Sequence, residues 1–290
     1  MPKYARLRQR VQRELPEASL QEAPAATDAH LLLAHDEDYV RRVIVGELSA
    51  PEQRAIGLPW SVEMVERSRR SVGATLAACT AAANEGVAVN LAGGTHHAQR
   101  DRGQGYCVFN DVAIAALALC GAQPLARVAV IDLDVHQGDG TASIVGGAEQ
   151  IFTLSLHGER NYPTRKIDGH IDVGLPDGTG DAQYLAALDD ALARMQARFA
   201  PTFLIFLAGA DPHEGDRLGR LRLTFDGLRA RDARVFDLAA RLRVPIAVTM
   251  AGGYGHDIET SVQVHLNTVR AACAHWLRCG REHTAESGVG

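Results

Sequence analysis

The segment RVAVIDLDV (127–135) decides the fold, because it joins a strongly apolar run to two carboxylates at its end. Four more apolar runs stand out along the chain: VAVNLAG (87–93), QIFTLSLHG (150–158), TFLIFLAGA (202–210) and VPIAVTMAGG (244–253). All five runs are continuous rather than alternating, which is typical of strands buried on both faces of a parallel sheet. The sequence therefore predicts five strands of one mainly parallel sheet.

Helical patterns lie between and around these runs. Residues 61–85 predict a helix that begins at Ser61 and ends before Gly86. Apolar residues also recur at helical spacing in three later segments, from Leu185 to Phe199, from Leu228 to Leu242 and from Ile258 to Trp276. This alternation predicts a single-domain, three-layer α/β/α protein with helices on both faces of the sheet. We place the domain at residues 1–280 and a polar tail at residues 281–290.

Composition excludes several classes of function. The chain has 290 residues, with 30 basic and 35 acidic side chains and a net charge of −5, so no general attraction to nucleic acid or anionic membranes is expected. No apolar run approaches the ~18 residues of a membrane span, and the start MPKYARLRQR lacks the apolar stretch of a secretory signal. The five cysteines show no metal-ligand spacing and predict reduced thiols in a cytoplasmic protein.

Polar residues follow every predicted strand. The strands run into GTHH (94–97), HQGDG (136–140), His157, DPHEGD (211–216) and Tyr254. In open α/β sheets, ligands bind beyond the carboxyl ends of the strands. The five strand ends therefore predict one shared site at that edge of the sheet.

A metal centre is the first candidate at this edge. Asp132, Asp134 and His136 occupy alternate positions, so they share a face of the strand end. Buried polar groups need partners, which either a metal ion or a structural hydrogen-bond network would provide. Asp211 follows another buried strand, although it could instead cap a turn. Asp134, His136 and Asp211 form a set of two carboxylates and one imidazole that suits catalytic zinc or iron(II).

The adjacent His96 and His97 are the second candidate. A metal-activated water needs a base for its proton and an acid for the leaving group, and Asp132 or Asp139 could orient the rings. The alternative is a pair of core histidines. Tyr254, in the glycine-rich AGGYG (251–255), could donate its phenol to an oxyanion or simply pack on the sheet end.

Taken together, these residues resemble the zinc-dependent histone deacetylase family, which has the arginase/deacetylase fold. The matching segments occur in family order and span most of the chain: GGTHHA (93–98), GYCVFND (105–111), DLDVHQGDG (132–140), SLHG (155–158), GADPHEGDRLG (209–219) and AGGYG (251–255). RNYP (160–163) and EGDRLGRL (214–221) look most like the class IV branch and its bacterial relatives.

The resemblance implies two metal sites. Zinc would be held by Asp134, His136 and Asp211. A structural potassium or sodium ion would lie nearby, several of its contacts being backbone carbonyls. The residues implied around that ion are Asp132, Asp134, His136, Ser155 and Leu156.

The resemblance also implies a catalytic role for each of several side chains. His97, backed by Asp139, would be the principal base and would later protonate the amine, while His96, backed by Asp132, would assist electrostatically. Tyr254 would polarise the acyl carbonyl. The expected reaction is metal-dependent removal of an acyl group from an amine, most simply from an N-acylated lysine side chain.

The substrate tunnel is implied by two further matches. Tyr106 matches an aromatic tunnel wall, and Leu218 matches a mouth position at which relatives that select polyamines carry a glutamate. Small acylated amines such as acetylpolyamines remain the alternative substrate. The family also begins with a strand that precedes the segment matching PKYARL (2–7); either that strand is missing here or the true start lies upstream.

The same residues disfavour two alternative functions. An arginase-like ureohydrolase would need a second pair of ligating carboxylates, but here Pro212 and His213 follow Asp211. A non-catalytic module that binds acylated amines would have lost a ligand, the histidine pair or the tyrosine, and all of these are present. The motifs leave open the acyl chain, the metal used in the cell and the oligomeric state.

Overall fold

The computed structural model of the chain describes residues 2–286. Its six strands form one sheet in the order β1-β6-β5-β2-β3-β4, and every neighbouring pair is parallel. The strands are β1 (Val87–Asn90), β2 (Val128–Asp132), β3 (Ile151–Gly158), β4 (Ile171–Leu175), β5 (Phe203–Leu207) and β6 (Ile246–Thr249). The five predicted strands are confirmed. Four of them end before their apolar runs do, because the chain leaves the sheet there, whereas β3 extends to the end of its run.

Helices cover both faces of this sheet. Within residues 2–286 they are α1 (Pro2–Glu14), α2 (Asp28–Leu31), α3 (Glu37–Val45), α4 (Ala50–Ile56), α5 (Val62–Glu85), α6 (Asp111–Ala122), α7 (Asp139–Val145), α8 (Asp181–Arg198), α9 (Phe225–Leu242) and α10 (Ile258–Glu286). One apolar core lies between the sheet and α1, α8, α9 and α10, and a second lies between the sheet and α2 to α7. The predicted three-layer architecture is confirmed.

The central strand β2 shows why its sequence is continuously apolar. Ala129 and Ile131 belong to the first core, whereas Val128 and Val130 belong to the second. Side chains alternate across a strand, so a strand covered on both faces needs apolar residues at every position. Asp132 is the first carboxylate of the run and ends the strand, which places it directly at the carboxyl edge of the sheet.

The helix predicted over residues 61–85 is confirmed as α5. The hydroxyl of Ser61 accepts a hydrogen bond from the Met64 amide at 3.1 Å, which satisfies one free amide of the first turn. Gly86 ends the helix with a φ of 88°, a backbone conformation that glycine adopts without strain. None of the helices within residues 2–286 is both long and apolar enough to cross a membrane.

Strand β4 is absent from the sequence prediction. Its residues IDVGL pair only with β3, at the edge of the sheet, and only the two terminal residues are fully buried. A short edge strand that carries Asp172 and Gly174 lacks the continuous apolar pattern of a central strand. At the other end of the chain, α10 continues to Glu286 and includes the start of the predicted tail; residues 287–290 lie outside the described residues.

A fully buried arginine connects the two central strand ends to the helical layer. Arg231 of α9 donates through Nη1 to the carbonyl of Gly209 at 2.6 Å and to that of Leu133 at 3.3 Å. Its charge is balanced by Asp232, whose Oδ2 accepts from the Thr268 hydroxyl of α10 at 2.6 Å. Arg231 therefore fixes the relative positions of the segments that follow β2 and β5.

We expect Arg231→Met to reduce the free energy of unfolding by about 3–5 kcal/mol, because it leaves the Asp232 charge buried without its partner. Arg234→Met is the matched control on the same helix, since Arg234 pairs with Asp189 at the surface and such pairs contribute about 0–1 kcal/mol. Urea unfolding of both variants measures the difference. Equal stabilities would show that the buried pair does not hold the strand ends.

Candidate active site

Three side chains converge at the ends of β2 and β5. Asp134 and His136 lie in the turn after β2, and Asp211 follows β5, the neighbouring strand. One ligand atom from each lies within 4.8 Å of the other two, so the group could hold a metal ion. His136 Nδ1 is 3.0 Å from Asp134 Oδ1 and 3.3 Å from Asp211 Oδ2. The structure thus brings together the three residues for which the sequence predicts a metal.

The hydrogen bonds of the two carboxylates leave one oxygen free for a ligand. Asp134 Oδ2 accepts from the Gly252 amide at 2.7 Å, and Asp211 Oδ1 accepts from the Val135 amide at 2.9 Å. Asp211 Oδ2 is buried and has no hydrogen-bond partner. A buried acceptor left unpaired is costly, and a metal ion would satisfy it. This orphaned oxygen, together with one imidazole and a second carboxylate, fits zinc or iron(II).

Glycine makes room for this arrangement. A Cβ atom on Gly252 would lie 1.9 Å from Asp211 Oδ2 and 2.6 Å from Asp134 Oδ2. The backbone after β6 can therefore approach the two carboxylates only without a side chain at this position.

The charges of the group oppose its burial. Burial alone would lower the pKa of His136, but the adjacent carboxylates of Asp134 and Asp211 outweigh that effect and raise it to about 10. Burial and the nearby Asp134 charge raise the pKa of Asp211 to about 6. A metal ligand must be deprotonated, so metal binding would release a proton from His136 and would weaken as the pH falls.

The histidine pair lies beside this group. His96 and His97 are buried, and their ring centroids are 4.1 Å apart. His96 Nδ1 is 2.6 Å from Asp132 Oδ2, and His97 Nδ1 is 2.7 Å from Asp139 Oδ1. Each histidine is thus paired with the carboxylate that the resemblance implied, and the imidazole of His97 lies 5.9 Å from that of His136.

The two rings differ in charge. Burial lowers the pKa of His96, but the charges of Asp132 and Asp134 outweigh it and raise the value to about 9. Burial and the positive charge of His96 lower the pKa of His97 to about 4. At neutral pH, His96 is therefore cationic and His97 is neutral, and only a neutral imidazole can accept a proton.

Aromatic side chains gather at the opening of the site. Tyr106 is 47% exposed and its ring centroid lies 5.7 Å from that of Tyr254. Tyr162, which is 40% exposed, packs edge-on against His97 at 4.8 Å. Leu218 is also exposed, and its carbonyl accepts from Asn161, the residue before Tyr162, at 2.8 Å. The two predicted tunnel residues therefore lie at the same end of the sheet as the histidines.

Of the residues implied around a monovalent cation, two are brought together directly. Asp132 and Ser155 are partners in the register of β2 and β3, and both line a cavity of about 10 Å³. The Ser155 hydroxyl also lies 2.9 Å from His157 Nδ1. Leu156 is fully buried in the following position of β3. A bound monovalent ion stays a prediction.

Sequence reasoning missed three residues that contact the site. Lys3 is buried and donates to the carbonyls of Ala251 and Gly253 at 3.4 and 3.2 Å, on either side of the turn before Tyr254. Tyr162 lies within the matching segment RNYP but has no predicted role, and Gln104 immediately precedes the matching segment GYCVFND. A buried lysine on an amphipathic helix has no local sequence signal, because its partners are 248 and 250 residues away.

The fold and the polar residues at the ends of its strands define a protein of the arginase/deacetylase type. Comparison with known proteins gives the family. The family model described as "Histone deacetylase domain" matches residues 2–269, and the chain belongs to the histone deacetylase family.

Individual relatives support the same family. The chain is 32% identical to histone deacetylase 2 of Arabidopsis thaliana, over 83% of this chain and 64% of the relative. It is also 32% identical to a histone deacetylase-like amidohydrolase of Pseudomonas aeruginosa, over 81% of this chain and 66% of the relative. Among solved structures, an HDAC homologue complexed with SAHA superposes with a TM-score of 0.79 and 25% identity, covering 93% of this chain and 77% of that one.

We expect Gly252→Ala to weaken zinc binding roughly 10–100-fold, the range found when groups that support metal ligands are removed. The added methyl group would displace the Asp211 carboxylate, which is short and buried and has little room to move. Competition with a chromophoric chelator measures the affinity. Gly147→Ala is the control, because no atom lies within 4 Å of a Cβ there. Equal zinc affinity in both variants would contradict the site.

Proposed function

We propose that the protein is a metal-dependent deacetylase that hydrolyses the acyl amide of an N-acylated lysine side chain in a protein or peptide. One observation carries the proposal: two adjacent buried histidines, each on its own carboxylate, lie beside a three-residue group with an unsatisfied carboxylate oxygen. Family membership supports the same reaction class. Zinc is the proposed metal, held by Asp134, His136 and Asp211, with iron(II) as the alternative in the cell.

The metal, when bound, polarises the acyl carbonyl and lowers the pKa of a water molecule. The remaining steps belong to side chains of this protein. His97 is neutral and its Nδ1 is engaged by Asp139, so Nε2 carries the lone pair that takes the proton of the attacking water. The same nitrogen then returns the proton to the departing amine. His96, cationic between Asp132 and Asp134, stabilises the negative charge that develops during the attack.

Tyr254 is the proposed donor to the tetrahedral oxyanion. Its amide donates to Asp216 Oδ2 at 2.6 Å, and its carbonyl accepts from Arg217, so the backbone of the residue is fixed from two sides. Burial raises the pKa of the Tyr254 phenol, which therefore keeps its proton. A fixed, protonated phenol is a suitable oxyanion donor.

An arginase-like reaction is disfavoured by His213. This residue matches the position of a second carboxylate, but its Nδ1 accepts from the Gly215 amide at 2.9 Å and its ring packs on Phe225. Within residues 2–286, Asp134, His136 and Asp211 form the one group of three or more ligating side chains found. A non-catalytic module that binds acylated amines would not need two carboxylate-paired histidines.

Acylated lysine is preferred to acylated polyamine because Leu218 is uncharged and offers a second ammonium group no partner. The neighbouring Asp216 is committed to the amides of Leu218, Gly219 and Tyr254. We further propose a cytoplasmic location, because the five cysteines show no metal-ligand spacing in the sequence and are typical of reduced thiols. The potassium or sodium ion near Asp132 and Ser155 belongs to the same proposal.

Turnover of an acyl-lysine peptide by purified, zinc-loaded protein tests the proposal. His97→Ala should lower kcat by ~10²–10⁴-fold, because it removes the base, and His96→Ala should have a smaller effect. His30→Ala is the control, since His30 lies on the surface helix α2. Absence of turnover in the unaltered protein, or a His97→Ala enzyme as active as the control, would contradict the proposed function.

Leu218→Glu tests the choice of substrate. A carboxylate at this half-exposed position should attract the second ammonium group of an acylpolyamine, worth about 1 kcal/mol or roughly five-fold in the ratio of kcat/KM values. Leu125→Glu is the control, because Leu125 is exposed in the loop before β2, at the opposite end of the sheet. An unaltered protein that prefers acylpolyamine would refute the assignment to lysine.

A further inference from the structure

The second oxygen of Asp139 has an unexpected set of partners. Oδ1 contacts His97, whereas Oδ2 accepts from the side-chain amide of Gln104 at 2.6 Å and from that of Gln99 at 3.3 Å. Asp139 is buried at the start of α7. Both contacts are made by the amide nitrogens, which donate to this oxygen. Asp139 therefore accepts hydrogen bonds on both of its oxygens.

The backbone places Gln104 rigidly against the catalytic histidine. Gln104 and Cys107 exchange two backbone hydrogen bonds of 3.0 and 2.9 Å, and they enclose Gly105 and Tyr106, whose φ angles are both positive. This is the geometry of a tight two-residue hairpin turn. A Cβ on Gly105 would lie 2.7 Å from the His97 ring, so the turn packs directly on that imidazole.

The tip of the turn is also anchored. The amides of Gly105 and Tyr106 donate to the carbonyls of Ala55 and Ile56, at the end of α4, at 3.0 and 2.8 Å. Gln104 is thus held at its backbone by the turn and at its side chain by Asp139. Of the two amides on Oδ2, that of Gln104 makes the shorter hydrogen bond.

We propose that Gln104 is a positioning residue for the general base. Its amide donates to Asp139 Oδ2 and so keeps Oδ1 directed at His97, and Asp139 in turn holds His97 with the proton on Nδ1 and the lone pair on Nε2. Gln104 touches neither substrate nor metal and acts only through Asp139. The inference rests on the proposed function, since it concerns the histidine assigned as the base.

Two substitutions of similar length separate this role from simple packing. Gln104→Met keeps the volume and removes the donor, so kcat should fall about 10-fold with KM unchanged. Gln104→Glu replaces the donor by a second acceptor, which repels Asp139 and competes with it for the His97 proton, so kcat should fall about 100-fold. Both values lie in the range for groups that orient catalytic ligands. The same substitutions at Gln123, exposed at the end of α6, are the matched controls, and Tm should be unchanged throughout.

A spectroscopic measurement makes the test independent of turnover. In zinc-loaded protein labelled with ¹⁵N-histidine, the His97 signals, assigned by their loss in His97→Ala, should show a single Nδ1-protonated tautomer. Gln104→Glu should convert them to a mixture. An unchanged kcat in both variants, or an unchanged His97 tautomer in Gln104→Glu, would overturn the inference. If the unaltered protein turns over no acyl-amine, the proposed function fails, and the tautomer still decides the role of Gln104.

Discussion

The burial of three carboxylates at the ends of two neighbouring strands is the constraint on which the rest of this structure depends. Asp132, Asp134 and Asp211 are at most 4% exposed, and each must find partners that water no longer provides. Histidine and backbone amides satisfy most of their oxygens. One oxygen of Asp211 stays unpaired. A bound cation would offset the cost of burying these carboxylates.

Close backbone approach is what allows this burial. The chain passes the carboxylates at glycines, and a Cβ on Gly138 would lie 2.3 Å from Asp132 Oδ2, while one on Gly252 would lie even nearer to Asp211. Beneath the same segments, the Arg231 guanidinium replaces water as the donor to the Leu133 and Gly209 carbonyls. Glycine on one side and a buried cation on the other thus hold the strand ends in place.

The difference in charge between the two histidines follows from their surroundings, since both have the same side chain. His96 lies between two carboxylates and keeps its proton, and that positive charge helps to keep the adjacent His97 neutral. Two residues of the same type, next to each other in the chain, are thereby suited to different tasks. Two further side chains support this pair, because the amides of Gln99 and Gln104 donate to the second oxygen of Asp139, the carboxylate that contacts His97.

Five of the six strands, the three-layer architecture and the polar residues at the strand ends could be predicted from the sequence, because two-sided burial leaves a continuous apolar pattern and a carboxylate interrupts it. The sequence could not determine β4, whose edge position needs no such pattern. The Asp134, His136 and Asp211 group followed from the motif spacing, and the pairing of each histidine with its carboxylate followed from family resemblance. Only the tertiary structure decided the roles of Gln104 and Arg231. Gln104 contacts a residue 35 positions away, and Arg231 contacts one 98 positions away. The spacing of neighbouring residues in the sequence cannot predict such contacts.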